Sequence, residues 1–181
     1  MRTFKTEGII VRRRNFKDAD RILTVLTPNN GKIVIRASGI RKIPSRRSPH
    51  VELLNHSSLT LYKGNAFPVL TEAQTINNFA LIKEDLQKIG LAYHLCELID
   101  GLCAEGQENR QVFSLLKGTL MRLSTEENSL NLINNFQTEL LHALGFWNKQ
   151  SVLAKEIDMD HFVENILERK LKSKSIFAKL Q

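Results

Sequence analysis

From the N-terminus to about residue 79, apolar and polar positions alternate with the period of two expected of strands. The runs FKTEGIIVRR, DRILTVLT, KIVIRA, SLTLYKG and FPVLTEAQTI are rich in β-branched and aromatic residues, and Pro28, Asn29, Asn30 and Gly31 mark a turn between the second and third. Five short strands in about eighty residues predict a small antiparallel barrel. In KIVIRA the alternation places Ile33, Ile35 and Ala37 on one face and Lys32, Val34 and Arg36 on the other. One face builds the core and the other presents charge.

After Phe79 the period changes to that of helices. Ile82, Leu86, Ile89, Tyr93 and Cys96 form one stripe, and Leu91, Leu95, Leu98 and Leu102 a second beside it, so this helix is buried against several neighbours. Three further helices are predicted at about 108–124, 129–144 and 159–171. Gly145 suits a helix C-terminus and Asp158 an N-cap. The chain therefore reads as α+β, an antiparallel β-barrel over residues 1–80 followed by an all-α helical domain over 81–181.

Composition is that of a folded domain, with 42% hydrophobic and 25% charged residues among 181. No apolar run approaches the ~18 residues of a membrane span. The basic lead of MRTFKTEGIIVRRRNF is followed only by Gly8, Ile9, Ile10 and Val11, short of the roughly 7–15 residues of a signal-peptide core, so a cytoplasmic protein is expected.

Charge changes the picture more. Residues 1–80 hold 14 Lys and Arg against 5 Asp and Glu, whereas residues 81–181 hold 12 against 14, so the net charge of +7 belongs to the first half. A small domain this cationic favours a polyanion. Between Arg21 and Val51 there is no acid, while Lys32, Arg36, Arg41, Lys42, Arg46 and Arg47 fall in the stretch. The last four lie among Pro44, Ser45, Ser48 and Pro49, a loop in which long cationic side chains can follow a phosphate backbone. Arg12, Arg13 and Arg14 close the first strand, and alternation sends Arg13 to the opposite face from the other two. Phe4, Phe16, Tyr62, Phe67 and Phe79 are candidates for stacking on bases or, for any single one, for core packing.

Candidate chemistry is sparse, and no catalytic residue, metal ligand or cofactor is assigned. A Walker loop ending at Lys32 would need Gly at position 26 and Ser or Thr at 33, where Leu26 and Ile33 stand. Cys96 and Cys103 are seven apart on a helix, roughly 10 Å between α-carbons, and suit a core better than a disulfide or zinc site. Asp18 with Asp20, and Asp158 with Asp160, suit structural roles, and the five histidines fall in no ligand spacing.

The stretches KTEGIIVRRRNFKDADRILTVLTPNNGKI, ASGIRKIPSRR, LTLYKGNAFPVLTEA, LCELIDGLCAEGQENRQVFSLL and FQTELLHALGF, in this order and spacing, resemble the RecO family of bacterial recombination mediators, and ERKLKSKSIF is similar to the family's closing segment. The resemblance implies an N-terminal OB-type barrel and a C-terminal helical domain. It also implies binding to single- and double-stranded DNA, annealing of complementary strands, and cooperation with RecR and the single-stranded DNA-binding protein in loading RecA. Candidate DNA contacts are then Lys5, Arg12, Arg14, Lys32, Arg36, Arg41, Lys42, Arg46, Arg47 and Lys63. Leu167, Lys170, Leu171, Lys174 and Phe177 combine apolar side chains with a cationic rim, a match for the acidic and hydrophobic C-terminal tail of that single-strand binder. The chain departs from the family between Trp147 and Asp158, where many members insert a four-cysteine zinc module, so zinc is not expected. An RNA-binding or ribosome-associated protein is the alternative among binding modules. A nuclease would need convergent acids.

Overall fold

A computed structural model describes residues 2–126, 129–146 and 158–173, with Ser129 described by its backbone alone. Five strands, β1 (Thr3–Phe16), β2 (Asp20–Thr27), β3 (Gly31–Ala37), β4 (His56–Tyr62) and β5 (Val69–Asn77), close a barrel in the order β1-β2-β3-β5-β4. All pairings are antiparallel except β3 with β5, which meet in parallel at Arg36 and Val69. The first strand is long enough to serve two neighbours. Its start pairs with β4, from Thr3 opposite Tyr62 to Ile9 opposite His56, and its second half pairs with β2, from Ile9 opposite Leu26 to Phe16 opposite Asp20. At this changeover a Cβ on Gly8 would lie 2.4 Å from Val25 Cγ1, so only glycine lets β1 pass so close to β2.

The barrel interior is filled by Ile10, Leu23, Val25, Ile35, Ala37, Leu59, Leu61 and Leu70, with Ile40 and Val51 added by the connection from β3 to β4. Ile35 and Ala37 point inward as their alternation predicts, and Ile33 packs half-buried beside them. Phe4, half-buried, packs against this core as well.

The chain divides into two compact units. The first takes in the chain through Phe79 together with Ala104–Phe113, and the second takes in Ala80–Cys103 and the described residues from Ser114 onward. The segment 104–113, helical-half sequence by its position, thus belongs with the barrel. It lies at the end where β3 begins: the backbones of Lys32 and Glu105 form an isolated parallel β-bridge, and the Gly106 amide donates to the Lys32 carbonyl at 2.9 Å. Gly31 has φ +63°, and a Cβ there would lie 2.0 Å from the Gln107 carbonyl oxygen. At the same end His56, buried, bonds Glu7 at 2.7 Å and meets the Phe113 ring edge-on.

The second unit holds α1 (Ala80–Lys83), α2 (Leu86–Leu102), most of α3 (Arg110–Thr125), α4 (Ser129–Ala143) and α5 (Met159–Leu167). Asp85 caps α2 by accepting from the Gln87 and Lys88 amides, and Asp158 caps α5 through the amides of Asp160 and His161. Gly145, with φ +79°, ends α4; its amide donates to His142 and that of Phe146 to Leu141, which satisfies carbonyls of the last turn. The helix predicted to reach residue 171 stops at Leu167 instead. Glu168 turns left-handed, with φ 52°, and the chain then binds Glu97. That carboxylate accepts from Arg169 at 2.6 Å, from the amides of Lys172 and Ser173 at 3.0 and 2.9 Å, and from Ser173 Oγ at 2.8 Å. Burial raises the Glu97 pKa, but these donors outweigh it and hold the group at about 2. Among the described residues no helix is long and apolar enough to cross a membrane.

Candidate nucleic-acid interface

The segment 104–113 occupies one end of the barrel; the other end carries three loops. Ser38–Arg47 is joined to the β1–β2 turn by the Arg41 amide, which donates to the Ala19 carbonyl at 2.9 Å. The β4–β5 connection is joined to β3 by the Arg36 amide, which donates to Pro68 at 2.8 Å, and to the start of β1 by the Lys63 amide, which donates to Arg2 at 2.7 Å. Phe16 pairs with Asp20 and Arg21 with Ala37 beside the first of these junctions, and Val69, opposite Tyr62, pairs with Arg36 beside the second. The end of the barrel bounded by the β1–β2 turn, the loop 38–47 and the pairing of Arg36 with Val69 is its mouth.

The cations here divide by what surrounds them. Arg36 donates twice to Asp20 Oδ2, at 2.8 and 2.6 Å, while Asp20 Oδ1 accepts from the Gly39 amide at 2.8 Å. The Gly39 hydrogen bond first, and then Arg36, hold the Asp20 carboxyl below its ordinary range. Arg36 is therefore a clamp between strand and loop, paired to an acid rather than open to a phosphate. Arg47 donates to the Leu70 carbonyl at 2.6 Å and to the Ser38 carbonyl at 2.7 Å. Arg47, expected as a DNA contact, is thus also a staple, and the carbonyl acceptors leave its charge uncancelled. Lys32 is buried, only 7% exposed, because it lies at the end closed by residues 104–113; it is not a surface contact at all.

Arg41, Lys42 and Arg46 are exposed, and their side chains make no ion pair or hydrogen bond with a described residue. The same holds for Arg14, near the end of β1, and for Lys63 in the β4–β5 loop. Arg12 and Arg14 share a face, while Arg13, on the other, pairs with Glu52, which also receives Arg21. Lys5 is exposed on the flank of the barrel, in a shallow polar depression of about 310 Å³ with Ser58, Thr60, Glu72 and Gln74. The Glu72 carboxylate beside it makes this a weaker anion site than the mouth.

Of the remaining features here, the sequence singles out the aromatic candidates but not Lys17 or Ile43. Lys17 lies 5.6 Å and Arg36 5.8 Å from the centre of the Phe16 ring. Tyr62 and Phe67 are more than a third exposed beside the mouth, whereas Phe79 is buried. Ile43, between Lys42 and Pro44, is fully exposed. Among the carboxylates nearby, Asp20 is held by Arg36 and Glu52 by Arg13 and Arg21, and the loop 38–47 itself contains none. The mouth therefore combines unneutralised cations with half-exposed aromatics, the pair of features that track a phosphate backbone and stack on bases.

The C-terminal candidates fare differently. Leu171 is buried and its amide donates to Glu164, so it cannot line an open groove; the return of the chain to Glu97 is the cause. Leu167 is half-buried over Gly101, where a Cβ would meet its methyl groups at 2.9 Å. Lys170 is exposed, and Lys174 and Phe177 lie outside the described residues. Cys96 is buried, and burial first, then Asp100, pushes its thiol up to about 12, away from thiolate chemistry. Asp160 accepts from Gln137 at 2.6 Å, which with Asp20 commits one acid of each pair to a structural partner.

Comparison with known proteins covers most of the chain. The family model described as Recombination protein O N terminal matches residues 1–79, and that described as Recombination protein O C terminal matches residues 83–147. The chain is 38% identical over 145 residues to the DNA repair protein RecO of Roseiflexus sp. (strain RS-1), covering 80% of this chain and 51% of that one. It is 38% identical over 143 residues to the protein of that name from Dehalococcoides mccartyi strain BAV1, covering 79% and 56%. With that of Symbiobacterium thermophilum the identity is 31% over 147 residues, covering 81% and 58%. The chain spans about half the length of the curated relatives it matches. It belongs to the RecO family.

Proposed function

We propose that this RecO-family chain is a DNA repair protein that binds single- and double-stranded DNA through the open mouth of its barrel and anneals complementary strands. The observation that carries the reading is the exposure of Arg41, Lys42 and Arg46 on the loop joined to the β1–β2 turn, with no ion pair or hydrogen bond to a described residue, a state that Arg14 and Lys63 share. Such cations displace condensed counterions from phosphates without reading sequence. Annealing follows from the same property, because neutralising two strands lets them approach; it requires no nucleotide hydrolysis and no metal. The chain acts as a binding protein and not as an enzyme.

Cooperation with RecR, and loading of RecA onto DNA coated by the single-stranded DNA-binding protein, are part of the same proposal and rest on family membership. Among the described candidates for a contact with that protein's acidic tail, Lys170 is exposed and Leu167 half-buried. The decisive experiment is annealing of labelled complementary strands, bare and coated by the cognate single-strand binder, with and without EDTA. Acceleration that survives the chelator supports the proposal. Equal affinity for structured RNA with no annealing of DNA favours the RNA-binding alternative.

A further inference from the structure

Ile43 stands in the loop 38–47, and its relative exposure is 103%, so no neighbour shields any part of it. The loop that presents it is not slack. Ile40 is anchored in the barrel core on one side, and the Arg47 guanidinium holds two carbonyls on the other. Between these anchors the Lys42 amide donates to Gly39 and the Ser45 amide to Lys42, and Pro44 fixes its own φ. The fold thus holds an aliphatic side chain out into water.

Single exposed apolar residues are ordinary. This one is set apart by its surroundings, since Arg41, Lys42 and Arg46 flank it with no carboxylate between them. When such a rim settles on phosphates, the apex between the cations faces the bases, the apolar surface within reach. Isoleucine and proline are among the side chains that wedge between base steps in DNA-bending proteins. Phe67, half-exposed in the loop whose Pro68 accepts from Arg36, offers a surface on which a displaced base can stack. An anionic lipid surface would also suit a cationic rim, but one isoleucine buries far less apolar area than even a single acyl chain, which by itself holds only marginally.

We propose that the Ile43–Pro44 tip is an apolar wedge that enters the base stack where a duplex ends, unstacking the terminal step at a junction of double- and single-stranded DNA. The inference rests on the DNA-binding reading above and adds an activity to it. A wedge at the junction makes the protein sensitive to where strands part, beyond the uniform attraction of phosphate for cations.

The test uses the full 181-residue chain and a duplex with a single-stranded overhang carrying 2-aminopurine at the junction. Saturating wild-type protein raises the 2-aminopurine emission. Ile43→Ser abolishes that rise while leaving the salt slope of binding and the melting temperature unchanged, because the phosphate contacts and the core are untouched. Ile43→Val retains most of the rise. A rise that persists in Ile43→Ser, or wild-type binding with no rise, overturns the wedge while DNA binding stands. Absence of DNA binding at low salt overturns the underlying function instead. Ile43-dependent binding to phosphatidylglycerol vesicles without any change at the junction base overturns the wedge and reassigns the tip to a membrane surface.

Discussion

The Arg36 guanidinium grips one oxygen of Asp20, with its two nitrogens at 2.8 and 2.6 Å, while the other oxygen of the same carboxylate holds the Gly39 amide. Strand β3, the start of β2 and the root of the loop are thereby tied at one point. Removing the arginine leaves a nearly buried carboxylate with half its partners. Arg36→Ala is expected to lose about 1–3 kcal/mol of stability, seen as a lower midpoint in urea or a lower melting temperature.

Exchange of Arg41, Lys42 and Arg46 for Glu has the opposite signature. These side chains are exposed and form no ion pair or hydrogen bond with a described residue, so the melting temperature stays near wild type. Affinity for a labelled duplex falls by on the order of tenfold or more, and the slope of log K against log salt flattens by about 0.9 for each phosphate that is no longer neutralised. Fluorescence anisotropy between ~50 and ~200 mM salt reads both effects. An unchanged slope would remove the loop from the DNA surface.

Arg47→Lys separates charge from geometry at a third position. Lysine keeps the positive charge but lacks the forked guanidinium that reaches the Ser38 and Leu70 carbonyls together. Stability is expected to fall by about 1 kcal/mol with little change in the salt slope. Parallel melting and binding curves on this variant distinguish a staple from a phosphate ligand.

At the closed end, Gly31→Ala is expected to cost about 3 kcal/mol or more, because it combines a positive φ with a clash against the Gln107 carbonyl. The barrel and the segment 104–113 would be forced apart there. Faster hydrogen exchange at the Gly106 amide, which donates to Lys32, is the local readout.

The Glu97 cluster predicts a dependence on acid. Its folded pKa, about 2, lies below the ordinary glutamate value of 4.5, so the unfolded chain binds more protons between these values and stability rises with pH across that interval. Its contribution is complete above about pH 5 and disappears as pH falls toward 2. Denaturation of the wild type and of Glu97→Gln should differ most at neutral pH and converge in acid; a constant difference would refute the role of the charge.

Much of this molecule was legible along the chain. The five strands lie close to their alternating runs because side chains i and i+2 share a face wherever the backbone is extended, and Asp85, Asp158 and Gly145 terminate helices by hydrogen bonds within a few residues. The cationic character of the barrel is likewise a property of the sequence, since charges add wherever they are placed. Their employment is not. Arg36 and Arg47 look no different in the sequence from Arg41 and Arg46, and Lys32 looks like a surface residue opposite its inward neighbours. Folding brought Asp20 to one, two distant carbonyls to another, and residues 104–113 over the third. Leu171 was turned inward in the same way by Glu97, more than seventy residues earlier. Local periodicity follows from the geometry of each backbone unit, whereas whether a charge or a methyl group remains available to a ligand depends on partners remote in sequence, which only the closed chain assembles.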